Sequence, residues 1–381
     1  MIFTFNNAKV TNPVRILFLC GSYFEKNDFH IYREGTSYEI IDKRKVLKDY
    51  VSETFPDLNI YSIILEENFM FSNKDQYLNY NDIDLKSLKS IELLTSMYSS
   101  KVIILHESFS TAAEVGMFST SSLSSEKVLI LSPDNFSVEE EFISGFMNFA
   151  YQNKFYAKNN IKVLKYYPGV YKHHINDSRY KLHTFFVNNK IPNQLALSLK
   201  KELIFEGYDR YKLFKTEHTV SADKKTVNIE IFIETHQLFA YLISLFNIKE
   251  IRDNFRTKLD TSDMKSNTTT NRRKKLINQK KDLLYNYLID GFISTFKTNN
   301  IDIDKDAESY KIKHIHVNFL AEDINIKHSI SYFIYIAIAL GFINIREANT
   351  VLSISENFQK IYPLYTGLIE MTSEKINVWD V

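Results

Sequence analysis

The feature that most limits the fold of this chain is the run Val14-Arg15-Ile16-Leu17-Phe18-Leu19-Cys20, which ends at Gly21. A short segment that is apolar almost throughout, with no alternation, belongs where both faces are covered, as in an interior strand of a parallel sheet. Similar segments recur at residues 59–65, at Val102-Ile103-Ile104-Leu105, at 128–131 and at 161–164. Between them the spacing changes to that of helices. Leu47, Tyr50, Val51 and Phe55 share one face over residues 42–55, closed by Pro56. Leu88, Ile91, Leu94 and Thr95 do the same over 87–98, and further helices are expected from near Thr111 and over 142–150. Strands alternating with helices predict a parallel sheet covered on both faces, of flavodoxin or Rossmann type, over residues 1–165. Such sheets take ligands beyond the carboxyl ends of their strands.

The remainder divides by composition. Residues 166–260 read as a mixed α/β region, with a helix over 194–205, a strand over 226–233 and an apolar helix over 237–246. Residues 261–281 are polar and then basic, with Arg272-Arg273-Lys274-Lys275 and Lys280-Lys281, and read as a linker or mobile arm. That basic stretch is either solvated or a contact for nucleic-acid phosphates. Residues 282–381 look compact again, with helices over 282–296 and 329–340. Gly341-Phe342-Ile343 and Val351-Leu352-Ser353-Ile354 then suggest a short hairpin. A helix running into such a hairpin reads as a winged helix-turn-helix domain.

Bulk properties exclude several classes. The 381 residues carry a formal charge of +1, so any nucleic-acid contact has to come from a local patch. Cys20 is the one cysteine, which excludes an internal disulfide and a cysteine-rich zinc site and fits a reducing cytoplasm. The longest apolar run, 332–343, falls short of the ~20 residues a membrane span needs. Residues 1–20 lack the pattern of a signal peptide. A soluble, cytoplasmic protein with no membrane partner is expected. His173-His174 and His314-x-His316 read as surface or strand positions, so no metal is expected.

Three strand ends carry the candidate chemistry. The first strand ends in Cys20-Gly21-Ser22-Tyr23-Phe24, where Gly21 lets backbone approach a ligand. The second runs into Glu66-Glu67-Asn68-Phe69, and the third into His106-Glu107-Ser108-Phe109-Ser110-Thr111 and Glu114. Glu114 is expected in the first turn of the next helix, where the helix amino terminus favours a carboxylate by ~0.3–1 kcal/mol. An anionic carboxylate facing a sugar suits glycosidic cleavage, because it stabilises or traps an oxocarbenium-like centre. Ser110 and Thr111 offer hydroxyls and amides to ribose or phosphate. Glu92, Glu66 and Glu107 are the candidates for a second carboxylate that orients the ribose or handles protons. Acids and hydroxyls at the start of a helix also serve as ordinary caps, so the turn alone leaves both readings open.

The Cys20 to Phe24 turn resembles the opening of nucleoside 2-deoxyribosyltransferases, and residues 110–116 resemble their Gly-Thr-x-x-Glu-x-Gly motif, whose Glu is the nucleophile. The likeness is closer to the deoxyribosyltransferase-like effectors of bacterial retron antiphage systems. It rests on Phe18-Leu19-Cys20-Gly21, on Leu65-Glu66-Glu67-Asn68-Phe69, and on Ile104-Leu105-His106-Glu107-Ser108 followed by residues 111–118. Glu92 falls where those effectors carry an acid on the preceding helix, and Arg44 matches an Arg on their first helix. The resemblance covers residues 14–150. It implies an N-glycosidase with Glu114 and Glu92 as catalytic residues. Cys20, Gly21, Ser22, Tyr23, Arg44, Glu66, Glu107, Ser108, Ser110 and Thr111 would then line the substrate. It implies NAD as substrate rather than cofactor, and a retron reverse transcriptase with its branched RNA–DNA product (msDNA) as restraining partners. Arg272, Arg273, Lys274 and Lys275 would meet nucleic acid, and a homo-oligomer stays open. Two positions depart from the transferase pattern: Ser108 stands in place of an Asp and Ser110 in place of a Gly. These favour glycosidic cleavage over base exchange. A silent nucleotide-sensing regulator that binds nucleic acid and a base-exchange transferase are the competing readings.

Overall fold

The computed structural model describes residues 2–21, 30–33, 36–67, 88–120, 125–133, 161–176, 179–221, 226–262, 268–299, 311–319, 324–346 and 349–371. The expected helix over 142–150, and Ser22, Tyr23, Asn68 and Phe69, lie outside them. The chain forms two compact units, each discontinuous in sequence. One holds residues 14–71 and 95–206, and the other residues 1–13, 72–94 and 207–381.

The first unit contains a five-stranded parallel sheet. Its strands are β1 (Arg15–Cys20), β2 (Ile60–Ile63), β3 (Lys101–Leu105), β4 (Val128–Pro133) and β5 (Lys162–Tyr166). They lie in the order β2-β1-β3-β4-β5, all parallel, an order shared with flavodoxin-type doubly wound sheets. The apolar runs of the central strands β1, β3 and β4 are buried on both sides, as their lack of alternation requires, while the edge strands β2 and β5 are less buried. Leu17, Leu19, Ile103, Leu105, Leu129 and Leu131 point to one face. There they join Val46, Leu47 and Val51 of α1 (Lys43–Thr54) and Leu195 and Leu199 of α4 (Asn193–Glu202). On the opposite face, Phe118 of α3 (Phe109–Thr120) meets Phe18 edge-on, with ring centres 5.9 Å apart. After β5 an antiparallel hairpin follows, β6 (Gly169–Asn176) with β7 (Arg179–Phe185). The sequence pattern does not announce this hairpin. It extends the unit past residue 165, to the end of α4.

The second unit joins the chain start to its later half. Strand Phe3–Phe5 pairs with Ile369–Met371, and Ala8–Thr11 pairs with Tyr208–Tyr211, both antiparallel. Residues 1–13, grouped above with the parallel sheet, therefore find their partners elsewhere. A three-stranded sheet combines Lys215–Val220, Thr226–Ile233 and Lys311–Phe319. The unit also holds α5 (Thr235–Leu245), α6 (Lys249–Arg256), α7 (Thr269–Asn299) and α8 (Ile326–Ala339). The core is aromatic: Phe5 lies 4.3 Å from Tyr241 and Phe214 lies 4.6 Å from Phe292, centre to centre.

The end of α8 shows why a glycine follows it. Gly341 adopts φ +68°, the Phe342 amide donates to Ala337 and the Gly341 amide donates to Ile338. These bonds close a Schellman-type stop, which needs a left-handed residue. An antiparallel hairpin, Ile343–Arg346 with Val351–Ile354, follows directly. The expected order of helix and hairpin is thus present.

Residues 269–281 are a correction. They were expected in a basic linker and instead form the first turns of the 31-residue α7. The reason is burial: Arg273, Leu276, Ile277 and Lys280 are all at most 5% exposed, so one side of the stretch packs as a helix face. Among the described residues, no helix is long and apolar enough to cross a membrane.

Candidate active site

The order β2-β1-β3 creates a topological switch point, where the chain leaves β1 on one side for β2 and returns on the other for β3. The segments that follow these three strands carry Gly21, Glu66 and Glu107. The first turn of α1 ties all three. Asp42 caps that helix, its carboxylate accepting from the Arg44 amide at 2.8 Å. The Arg44 guanidinium then donates to Asp42 Oδ2 at 2.8 Å, to Glu66 Oε1 at 2.8 Å and to the Gly21 carbonyl at 3.3 Å. Burial alone would lower the Arg44 guanidinium, but Asp42 and Glu66 outweigh it and hold it above its ordinary value. It is a fixed cation.

Its neighbour Lys43 turns toward β3. Its ammonium donates to both carboxylate oxygens of Glu107 and to the Thr184 hydroxyl on β7. The hydroxyl of Tyr166, the last residue of β5, also donates to Glu107. Lys43 and Glu107 are each 8% exposed and Tyr166 is 1% exposed. Burial draws the Lys43 ammonium below its ordinary value, opposed by Glu107. Burial, then the charge of Glu107, pushes the Tyr166 phenol well above its usual range, so it stays an O–H donor at neutral pH.

The turn after β3 is closed around Thr111. The Thr111 hydroxyl accepts from the amides of Glu107 at 3.0 Å and Ser108 at 2.9 Å, and donates to the Ser108 carbonyl at 2.8 Å. Ser108 Oγ accepts from the Thr111 amide at 3.3 Å, so Ser108 is the cap of α3. This corrects the position of Glu114. With α3 starting at Phe109, Glu114 stands in the second turn, and the first turn holds no acid. The support expected from the helix amino terminus is weaker there. Thr111, Val115 and Phe118 form the buried stripe of α3, and Glu114 lies at its margin, half-buried with Oε2 withdrawn from solvent.

The remaining expected residues divide. Cys20, Arg44 and Thr111 are buried, Ser110 is exposed, and Ser22 and Tyr23 lie outside the described residues. The structure brings Gly21, Arg44 and Glu66 together, and separately Glu107, Ser108 and Thr111. Glu66 and Glu107 thus each hold a buried cation. Glu92 lies half-buried on α2 (Leu88–Tyr98). In α7, Lys274 and Lys275 are exposed, Arg272 is half-buried, and Arg273 is 5% exposed and turned inward.

Lys43, Tyr166, Thr184 and Asp42 went unforeseen. One signal was available: two cations in the first turn of a helix run against its dipole, which marks them as serving something beyond the helix. Among the described residues, no group of three or more His, Cys, Asp or Glu is placed to hold a metal ion. No family model matches the chain, and no curated protein is significantly similar to it in sequence.

Proposed function

We propose that this protein is an N-glycosidase that cleaves the bond between ribose and base in NAD or a related nucleotide. We further propose that it acts as an antiphage effector restrained by a retron reverse transcriptase and its branched RNA–DNA product. The observation that carries the chemical part is the strand order β2-β1-β3, which sets the Gly21 end and the turn before Glu114 on either side of one switch point. The partner assignment draws on the sequence resemblance. In this reading the Glu114 carboxylate stabilises or traps the ribosyl C1′ as nicotinamide leaves, and water then takes its place on C1′. Glu66 and Glu107 are engaged by Arg44 and Lys43; the sequence resemblance gives the second catalytic role to Glu92. Lys274 and Lys275, exposed on α7, are the residues this reading sets against nucleic-acid phosphates, and the helix-hairpin order of residues 326–354 suits a winged helix-turn-helix.

The test incubates purified full-length protein with NAD and follows nicotinamide release, beside expression toxicity in cells. Release by wild type and its loss in Glu114→Gln is the expected result. Silence in both assays, or equal release by Glu114→Gln, overturns the reading. A second reading, a nucleotide sensor without catalysis, draws on the closed Arg44 network. Calorimetric NAD binding without nicotinamide release selects it.

A further inference from the structure

The Lys43–Glu107 ion pair is the meeting point of four separate pieces of chain. Lys43 comes from the first turn of α1, Tyr166 from the end of β5, Thr184 from β7, and Glu107 itself from just past β3. The Lys43 ammonium meets both Glu107 oxygens and the Thr184 hydroxyl. The backbone is held as firmly as the side chain, because the Glu107 and Ser108 amides both end on the Thr111 hydroxyl. Glu107 is therefore fixed from two sides, two residues before α3 begins.

A buried ion pair of this kind adds little net stability compared with apolar groups of the same volume. What it supplies is a single geometry. A carboxylate that accepts from both Lys43 and Tyr166, 8% exposed, is poorly placed to pass a proton to a ligand. We propose that Glu107 is a positioning residue: held by Lys43 and Tyr166, it sets the turn from which α3 presents Glu114. The kinetic part of this proposal rests on the glycosidase reading, and the structural part does not. Lys43 and Arg44 would then share one task, the first fixing the β3 end and the second the β1 and β2 ends.

The test compares Glu107→Gln, Glu107→Ala and Tyr166→Phe in the full chain by hydrogen exchange and by NAD turnover. Glutamine still accepts from Tyr166 but leaves the buried Lys43 without its counter-charge, so Glu107→Gln should speed exchange over residues 106–112 less than Glu107→Ala does, with an unaltered pH–rate profile. Glu107→Ala and Tyr166→Phe should speed exchange over 106–112 by about tenfold or more, with β4 unchanged. They should lower kcat with little change in KM. Wild-type exchange in both of these variants overturns the proposal. So does a Glu107→Gln variant as impaired as Glu107→Ala with one limb of its pH–rate profile lost, which would make Glu107 a proton carrier. If Glu107→Ala fails to fold, Tyr166→Phe, which lacks one oxygen, decides. If wild type cleaves no NAD, the glycosidase reading fails on its own and the exchange comparison still decides this one.

Discussion

The Gly21 carbonyl accepts from the Arg44 guanidinium at 3.3 Å, and a Cβ on Gly21 would lie 3.1 Å from Arg44 Cδ and 3.3 Å from Leu105 Cδ1. The glycine thus leaves Arg44 and Leu105 room for close approach. Gly21→Ala should force the buried Arg44 side chain aside and cost about 1–3 kcal/mol, as overpacking does. Urea unfolding measures the loss. Stability equal to wild type would show that Arg44 shifts freely, against the fixed network described here.

Thr111 is fully buried, and its hydroxyl accepts from two amides. Thr111→Val keeps the shape and leaves both amides without that acceptor. It should destabilise by roughly 1–3 kcal/mol, while Thr111→Ser keeps the hydrogen bonds and loses only the methyl group. Equal effects of the two substitutions in chemical denaturation would contradict the assigned role of the hydroxyl.

Gly291 sits inside α7, where alanine would ordinarily gain about 1 kcal/mol of helix propensity. Here a Cβ would come within 2.6 Å of both the Phe3 and Phe5 rings, which are 2% and 1% exposed. Rings so enclosed have nowhere to go, and the clash should outweigh the propensity. Gly291→Ala is expected to be less stable by about 1–3 kcal/mol. Thermal or urea unfolding with an upward shift would refute it.

Lys280 is 1% exposed and donates to the carbonyls of Asn254 at 3.0 Å and Thr257 at 2.8 Å, at the end of α6. Burial lowers its ammonium to about 8 from an ordinary 10.5. Between these values the unfolded chain binds more protons than the folded one, so this residue makes stability rise with pH across that window. Below about 8 both states are protonated and the slope vanishes. Urea midpoints at about pH 7.5 and about pH 10, for wild type and Lys280→Met, isolate the contribution. The rise should be smaller in the variant, and identical slopes would exclude it.

What the sequence made legible was set by local pattern. Thr226–Ile233 alternates buried and less buried positions, and its observed bounds are those expected. The runs in β1, β3 and β4 were equally plain, because buried parallel strands need apolar residues throughout. Strand Gly169–Asn176 was not, since Tyr171, Lys172, His173 and His174 interrupt any apolar period. Strand Phe3–Phe5 is three residues long, too short for a pattern to show. At the candidate site, the helix that carries Glu114 was begun late because Ser108, and not the Ser110-Thr111 pair, makes the cap. The Lys43–Glu107 pair joins residues 64 apart in sequence. A lysine on a helix reads as solvated until the fold places a carboxylate over it.

The pairing of Phe3–Phe5 with Ile369–Met371 has a consequence for how the chain is born. Asn6 bonds to Glu370 across 364 residues. At a translation rate of about 5–20 residues per second, the first strand waits roughly 20–70 s for its partner to be made. The unit with the parallel sheet has its last residue at 206. It leaves the ribosome complete while the amino-terminal strand, earlier in synthesis, is still unpaired. The order of synthesis and the order of assembly therefore run in opposite directions.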